Sequence, residues 1–408
     1  MAMLDLKKTA ERYERELTEV VAPFWAEHAA DPVHGGFYTN LCRDGAVFDP
    51  GKNVWMMWRD IYMFAKMCNV GFGRPEYARL AEQGFDFCVR HARGGDGRYH
   101  LYVAADGGEG CAGFPMFRAM ADVYAAIACA ELYRLNPKEE YRREGFSALR
   151  VYEESMRGGG SGKRFMPAGA KELGAYMHIV YAAAELLSAC GDEDGYCSGL
   201  IREALAEIPR FRHPQLRRWL GMRGADGEFD LATSMGRMIA TGHGFEVMWF
   251  AGYAAEIVGD AEFLKRIPAW TREVCGYAFD RKYGGLFSMQ DALDLPCCMP
   301  GAGTKQWWTH TEALLGLAYS YKLTLDPWFL ERFAEVDEWT WRNFRDPDFP
   351  EWFGAVAPGG EVLCDAKGTP AKAFFHLPRC LWFCAKWLRE AAEMAEREKS
   401  EKKSGPAC

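Results

Sequence analysis

Thr241-Gly242-His243-Gly244-Phe245-Glu246 reads as the opening of a helix, with His243 and Glu246 three residues apart and so on one helical face. Residues of similar chemical weight recur where other helical stretches begin. His178, His243, His310 and His376 follow one another at steps of 65, 67 and 66 residues. Arg59 lies 119 residues before His178, close to two such steps, and the skipped station falls near Phe117 and Arg118. A step of this length holds two helices and their connections, so the spacing describes a repeated helical hairpin.

Hydrophobic periodicity near 3.6 fills in the rest. It predicts twelve helical segments, near residues 5–29, 54–70, 75–93, 114–135, 138–157, 172–190, 195–209, 243–258, 260–275, 305–323, 326–343 and 371–396. Six hairpins then close into a ring. The even-numbered helices form its inner wall and start at one common pocket, where unsatisfied N–H groups and partial positive charge suit oxygen-rich ligands. The expected class is all-α, one domain over 1–396 with a disordered polar tail over 397–408. Gly-rich stretches with strand-like alternation, His34-Gly35-Gly36-Phe37-Tyr38, Tyr283-Gly284-Gly285-Leu286-Phe287 and Glu351-Trp352-Phe353-Gly354, read as short β-hairpins on one rim.

Composition narrows the function classes. The chain has 408 residues, 49% hydrophobic and 26% charged, which suits a globular protein with a large core. A net charge of −8 with no dense basic stretch argues against nucleic acid as a partner. No run approaches 18 consecutive apolar residues, and Met1 to Val20 lacks the apolar core of an export signal, so neither a membrane span nor secretion is expected. The 14 cysteines are scattered without a CxxC pair, and Cys297 and Cys298 are adjacent. They read as reduced thiols of a cytoplasmic protein, with no metal site.

Several residues carry candidate chemistry. His243 is a candidate acid/base, with Glu246 placed to orient it. His376 opens a His-x-Pro-Arg run in which Arg379 is placed to hold a carboxylate or substrate oxygen. Trp307 and Trp308 form a flat apolar platform suited to a sugar ring, followed by His310 and Glu312. Arg59 is a lone charge in the apolar run Trp55-Met56-Met57-Trp58-Arg59-Asp60, which requires a partner or a ligand. His28, His91, His100 and His213 have no such neighbours, and His34, before a Gly-Gly turn, is placed on the rim.

Five motifs together resemble the N-acylglucosamine 2-epimerase family, which includes cellobiose 2-epimerases and mannose isomerases. They are Gly35-Gly36-Phe37 with Arg43-Asp44-Gly45; Val54-Trp55 with Arg59; Gly242-His243-Gly244-Phe245-Glu246; Trp307-Trp308-Thr309-His310-Thr311-Glu312-Ala313; and Phe375-His376-Leu377-Pro378-Arg379. They occur in the family's order between residues 34 and 380. The resemblance implies an (α/α)6 barrel and a cofactor-free isomerase acting on a monosaccharide or disaccharide. It implies His243 and His376 as the acid/base pair, Glu246 supporting His243, and Arg59 and His310 binding or polarising the sugar; His178, Trp307, Trp308, Glu312 and Arg379 complete the expected substrate-binding set. A homodimer and activation by ATP are further implications, although no GxxxxGK[ST] loop is present.

Two features depart from one branch or another. Asp60 follows Arg59 where the family usually has Gln. His178 in Tyr176-Met177-His178 looks like the isomerase and cellobiose-epimerase branches, whereas Phe375-His376-Leu377-Pro378-Arg379 looks like the N-acylglucosamine branch. The leading expectation is interconversion of N-acetylglucosamine and N-acetylmannosamine. Mannose isomerisation or epimerisation of cellobiose or mannobiose is the alternative. A glycoside hydrolase using Glu246, Glu312 or Glu351, and a non-catalytic sugar-binding protein, are the readings from other classes.

Overall fold

Helices apolar on nearly every side alternate along this chain with helices apolar on one side, and that alternation sorts them into two layers. The structure, a computed structural model, describes residues 4–110, 117–158 and 169–404. The first rod is α1 (Leu6–Arg15), a π-helical turn (Glu16–Val21) and α2 (Ala22–His28) in unbroken succession. Then follow α3 (Val54–Asn69), α4 (Pro75–His91), α5 (Arg118–Leu135), α6 (Glu139–Arg157), α7 (Leu173–Cys190) and α8 (Tyr196–Glu207). The second half holds α9 (Thr241–Val258), α10 (Ala261–Ala278), α11 (Trp307–Thr324), α12 (Pro327–Phe344) and α13 (His376–Ser404). Counting the first rod once, these are the twelve expected helical segments; the expected start of the fourth, at 114–116, lies outside the described residues.

The inner ring is α3, α5, α7, α9, α11 and α13, each packed on the next. The ring closes where the Phe374 N–H donates to Asp60 Oδ1 at 3.0 Å and the Phe375 ring meets Tyr62, centroids 5.5 Å apart. The architecture is an (α/α)6 barrel. One inner helix, α7, is long and apolar enough to cross a membrane by length and composition, and 78% of it is buried. It lies between α5 and α9, so its apolar surface is used inside the barrel.

The strands are mostly staples between hairpins. β3 (Lys52–Asn53), β5 (Lys171–Glu172), β7 (Met238–Ala240) and β9 (Lys305–Gln306) each end where an inner helix begins. They pair antiparallel with β4 (Tyr102–Val103), β6 (Met222–Arg223), β8 (Met289–Asp291) and β10 (Ala355–Val356), each of which follows the next outer helix. Only two pairs are the local hairpins expected: β1 (Asn40–Leu41) with β2 (Val47–Asp49), and β10 with β11 (Val362–Cys364). The stretch at Gly284-Gly285 closes instead through the single bridge Phe279 to Leu286.

A second staple repeats at the same rim. Lys52, Lys305 and Lys367 are buried and donate to Asp31, Asp280 and Asp346 at 2.7, 2.7 and 2.8 Å. Each Asp opens a loop whose sixth residue has positive φ: Gly36 at 69°, Gly285 at 65° and Glu351 at 67°. Rings of Phe87 and Trp339 press on the two glycines, leaving under 3 Å for any Cβ. Glu351 bears a side chain there because Lys372 and Trp25 donate to it, at 2.9 and 2.8 Å.

The chain's end differs from expectation. The last helix begins at His376 rather than near 371, after a Thr369–Lys372 bridge. It continues to Ser404, past the boundary set at 396, because no Gly or Pro interrupts it before Gly405. Arg397 and Glu393 add an i,i+4 pair. Residues 405–408 lie outside the described residues.

Candidate active site

The inner helices α5, α7, α9 and α11 start without a side-chain cap, and the first N–H of α7, α9 and α11 is taken up by the carbonyls of Gly221, Ser288 and Gly354 at the rim. The pocket at this rim has a volume of about 430 Å³, and Arg59, His178, His243, Glu246, Trp308 and His376 all line it. A larger groove of about 610 Å³ lies on the barrel's exterior against α12, lined by Gly284, Gly285 and Trp339, with no histidine or cysteine in its wall.

Trp308 organises the pocket. Its ring lies 5.4 Å from the His243 imidazole and 5.8 Å from that of His376, centroid to centroid. Gly242 makes this possible: a Cβ there would stand 2.2 Å from Trp308 Cζ3. Trp307 also lines the pocket and meets His376 edge-on at 6.1 Å.

His376 is held from below. Its Nδ1 is 2.7 Å from Glu312 Oε1, while Arg379 Nη2 is farther, at 3.4 Å. Glu312 also accepts from Arg379 Nη2 at 2.6 Å and from Trp249 Nε1 at 2.9 Å. Burial pushes the Glu312 pKa up, and Arg379, Trp249 and the charge of Arg59 pull it back; the fixed donors Arg379 and Trp249 on its oxygens favour the carboxylate form. The Nδ1–H of His376 donates to that carboxylate, so Nε2 carries the lone pair. Burial, with Arg59 and Arg379 nearby, drives the His376 pKa well below the usual histidine value. The resting imidazole is neutral and basic at Nε2.

His243 has no hydrogen bond to a described residue, and its ring is half-buried in the pocket wall. Burial lowers its pKa, and the charges of Glu246 and Glu312 partly restore it. Glu246 acts on His243 through space. Its own hydrogen bond is from Arg379 Nη2, at 2.8 Å, so the expectation that it orients His243 directly is corrected.

Arg59 is 4% exposed, and its guanidinium is flanked by the rings of Trp55, Tyr124 and Phe375 at 4.5, 4.4 and 4.7 Å. Nη2 donates to the Tyr124 hydroxyl at 2.9 Å. No carboxylate pairs with it among the described residues, and Asp60 turns instead to the Phe374 N–H. Burial pushes the Asp60 pKa well above the usual carboxylate range, against the pull of the Phe374 N–H and the Arg59 charge, which favours the neutral acid. His178 lines the pocket, donating from Nδ1 to the Gly174 carbonyl at 2.6 Å.

Four expected site residues lie elsewhere. His310 is unexposed on the far side of α11: Nε2 accepts from the Leu286 N–H at 3.0 Å and Nδ1 donates to the Gln306 carbonyl at 2.8 Å. Its ring stacks on Trp339, and burial lowers its pKa to about 3. Arg379 is equally unexposed, packed against Phe375, Trp249 and Phe250, and touches acids rather than the pocket. Glu312 lies beneath His376, outside the pocket lining. Glu351, a hydrolase candidate, is bound to Lys372 and Trp25.

Glu246, Glu312 and His376 present ligand-type atoms within 4.8 Å of one another. Arg379 Nη2 already bridges the two carboxylates, so a guanidinium supplies the positive charge that a metal would bring. The twelve cysteines among the described residues are free thiols, and none is in this cluster.

Pocket residues that the sequence reading missed include Trp55, Glu172, Gln306 and the methionines Met120, Met222, Met235, Met238 and Met299. Trp55 had a signal, since it is one helical turn before Arg59. The methionines had none.

The family model for N-acylglucosamine 2-epimerase (GlcNAc 2-epimerase) matches residues 36–380. The chain is 31% identical to the N-acylglucosamine 2-epimerase of Bos taurus, covering 94% of this chain and 92% of that one. It is 30% identical to the N-acylglucosamine 2-epimerase of Homo sapiens, covering 94% and 91%. Among solved structures it is similar to the cellobiose 2-epimerase of Bacillus thermoamylovorans B4167, with a TM-score of 0.79 at 16% identity over 94% of this chain and 99% of that one.

Proposed function

The chain belongs to the N-acylglucosamine 2-epimerase family and is a sugar 2-epimerase, and on that premise we propose that it interconverts N-acetylglucosamine and N-acetylmannosamine. The observation that carries this reading is the placement of two neutral imidazoles, His243 and His376, against one Trp308 ring in a pocket that also holds the unpaired Arg59 guanidinium.

The chemistry starts from the open-chain sugar, because only a free C1 carbonyl acidifies the C2 proton. One imidazole takes that proton, and the electron pair of the C–H bond moves into a C1–C2 double bond, leaving negative charge on O1. Arg59 stabilises that oxyanion from a site closed to water by three aromatic rings. The second imidazole, having drawn a proton from solvent, delivers it to the opposite face of C2, and the carbonyl re-forms. At His376 the Glu312 contact fixes the tautomer, leaving Nε2 to accept the proton, and stabilises the imidazolium that forms. The steps need only imidazole, guanidinium and carboxylate groups, so the proposed reaction is independent of metal and redox cofactors.

His178 supports a second reading. Its ring lines the same pocket, with Nδ1 committed to the Gly174 carbonyl. After one imidazole has taken the C2 proton of mannose, a third imidazole beside C1 and C2 would carry the O2 proton to O1 of the enediol while a proton is returned to C1, which gives a ketose.

Incubation with N-acetylmannosamine, mannose and cellobiose in turn, followed by chromatographic separation of epimers and ketoses, tests the proposal. N-Acetylglucosamine from the first substrate at the highest kcat/KM supports it. Preferential formation of a ketose from mannose, or turnover of cellobiose alone, refutes it.

A further inference from the structure

Glu172 is the last residue before α7, and its carboxylate lies in the pocket wall. Its partner across the β5–β6 pair is Met222. The next residue back, Gly221, donates its N–H to the Met238 carbonyl at 3.0 Å. Gly221 also presents open backbone to Met238, whose Cε stands 3.1 Å from where a Cβ would be. Carboxylate, Met222 and Met238 thus form one continuous wall.

Gly174 ties this wall to the acid/base pair. The point its absent Cβ would occupy is 3.6 Å from Glu172 Oε1 and 3.8 Å from His243 Cε1. Glu172 and His243 border the same gap. Because His243 exchanges a proton at C2, the substituent bonded to C2 lies in or beside that gap.

We propose that Glu172, Met222 and Met238 form the subsite that receives the acyl-amide group at C2 of the substrate, with the amide N–H donating to Glu172 and the acyl chain lying against the two methionines. The inference rests on the N-acyl sugar reading above and deepens it. A carboxylate is an acceptor only, which matches the single N–H of a secondary amide. A thioether wall is apolar and adaptable, which matches an alkyl end. A C2 hydroxyl leaves the methionines without a partner and has no acyl chain to hold it against Glu172, and an anionic substituent is repelled by Glu172 and Glu246. Because unbranched methionine side chains repack easily, the subsite also takes acyl chains longer than acetyl.

The test uses the open-chain polyols 2-acetamido-2-deoxymannitol and mannitol, which resemble the acyclic substrate and do not turn over. Calorimetric binding is measured for the wild type, Glu172→Met and Glu172→Gln. The wild type prefers the acetamido polyol by about 10- to 100-fold, the range of a hydrogen bond to a charged group. Glu172→Met loses that preference, and Glu172→Gln, which keeps an acceptor, recovers part of it. Equal wild-type affinities, or equal weakening of both polyols in both variants, overturns the subsite. A measurement on the wild type alone guards against misfolded variants: N-propanoylmannosamine is turned over within about threefold of N-acetylmannosamine, and a loss beyond about 100-fold overturns the methionine wall. If the wild type does not epimerise N-acetylmannosamine at all, the underlying functional reading fails. If it does so with no acyl preference, only the subsite fails.

Discussion

Glu312 Oε1 stands 2.7 Å from His376 Nδ1, and through that contact a residue outside the pocket sets which nitrogen of the catalytic imidazole is free. Glu312→Gln keeps the shape but offers an amide N–H, which turns Nδ1 into an acceptor and protonates Nε2. The expected result is a fall in kcat of about 10²- to 10⁴-fold, with KM changed less than about threefold. Steady-state kinetics on N-acetylmannosamine checks it. A change confined to KM would place Glu312 in substrate binding instead.

Gly242 and Trp308 make a second prediction. A methyl group at 242 meets Trp308 Cζ3 at 2.2 Å and displaces the ring that supports both histidines. Gly242→Ala is expected to lower kcat/KM by about 100-fold or more. The cost in stability should be about 1–3 kcal/mol, measured by chemical unfolding. Full activity in a folded variant would remove Trp308 from the account.

Asp60 gives a prediction with a defined sign. Its folded pKa is raised by burial, so the native state keeps a proton that the unfolded chain releases above about pH 4. Stability is therefore lost as pH rises through that range, by about 1.4 kcal/mol per unit until the folded pKa is reached. Asp60→Asn keeps an acceptor for the Phe374 N–H and removes that loss. The variant should be more stable than the wild type at pH 7, with the gain disappearing near pH 4. An equal or lower unfolding free energy at pH 7 would contradict it.

The histidines predict the acid limb of the rate profile. Burial lowers the pKa values of His243 and His376, so both remain neutral below the ordinary histidine value of about 6.5. The value of kcat/KM should stay level as pH falls through 6.5 and decline only at lower pH. Folding stability behaves differently, because the unfolded histidines, including His310 with its folded value of about 3, bind protons first. Stability is fully present above about pH 6.5 and is lost as pH falls below it. An acid limb at 6.5 or above would mean that the catalytic imidazoles are not desolvated.

The ring of hairpins was legible because its signal is local: a helical period, and one loaded residue near the start of five of the six inner helices. Assigning faces was harder. Trp308 and Glu312 share a helical face at i,i+4, and His310, two residues after Trp308, points the opposite way. Helical phase therefore argued against His310 as a sugar ligand. The Arg379 bridge to Glu246 and Glu312 joins α13, α9 and α11, so no local spacing could reveal it. Glu172 and the methionine wall come from strands of two or three residues, too short to have a pattern.

The central claim is that His243 and His376 serve opposite faces of C2, and proton NMR of His243→Asn and His376→Asn in D₂O tests it most directly. Each epimer, N-acetylglucosamine and N-acetylmannosamine, is incubated with each variant and its C2 proton followed. The account predicts no epimerisation by either variant, with His243→Asn exchanging the C2 proton of one epimer and His376→Asn exchanging that of the other. Exchange of the same epimer by both variants, or epimerisation by either, would contradict two-histidine catalysis.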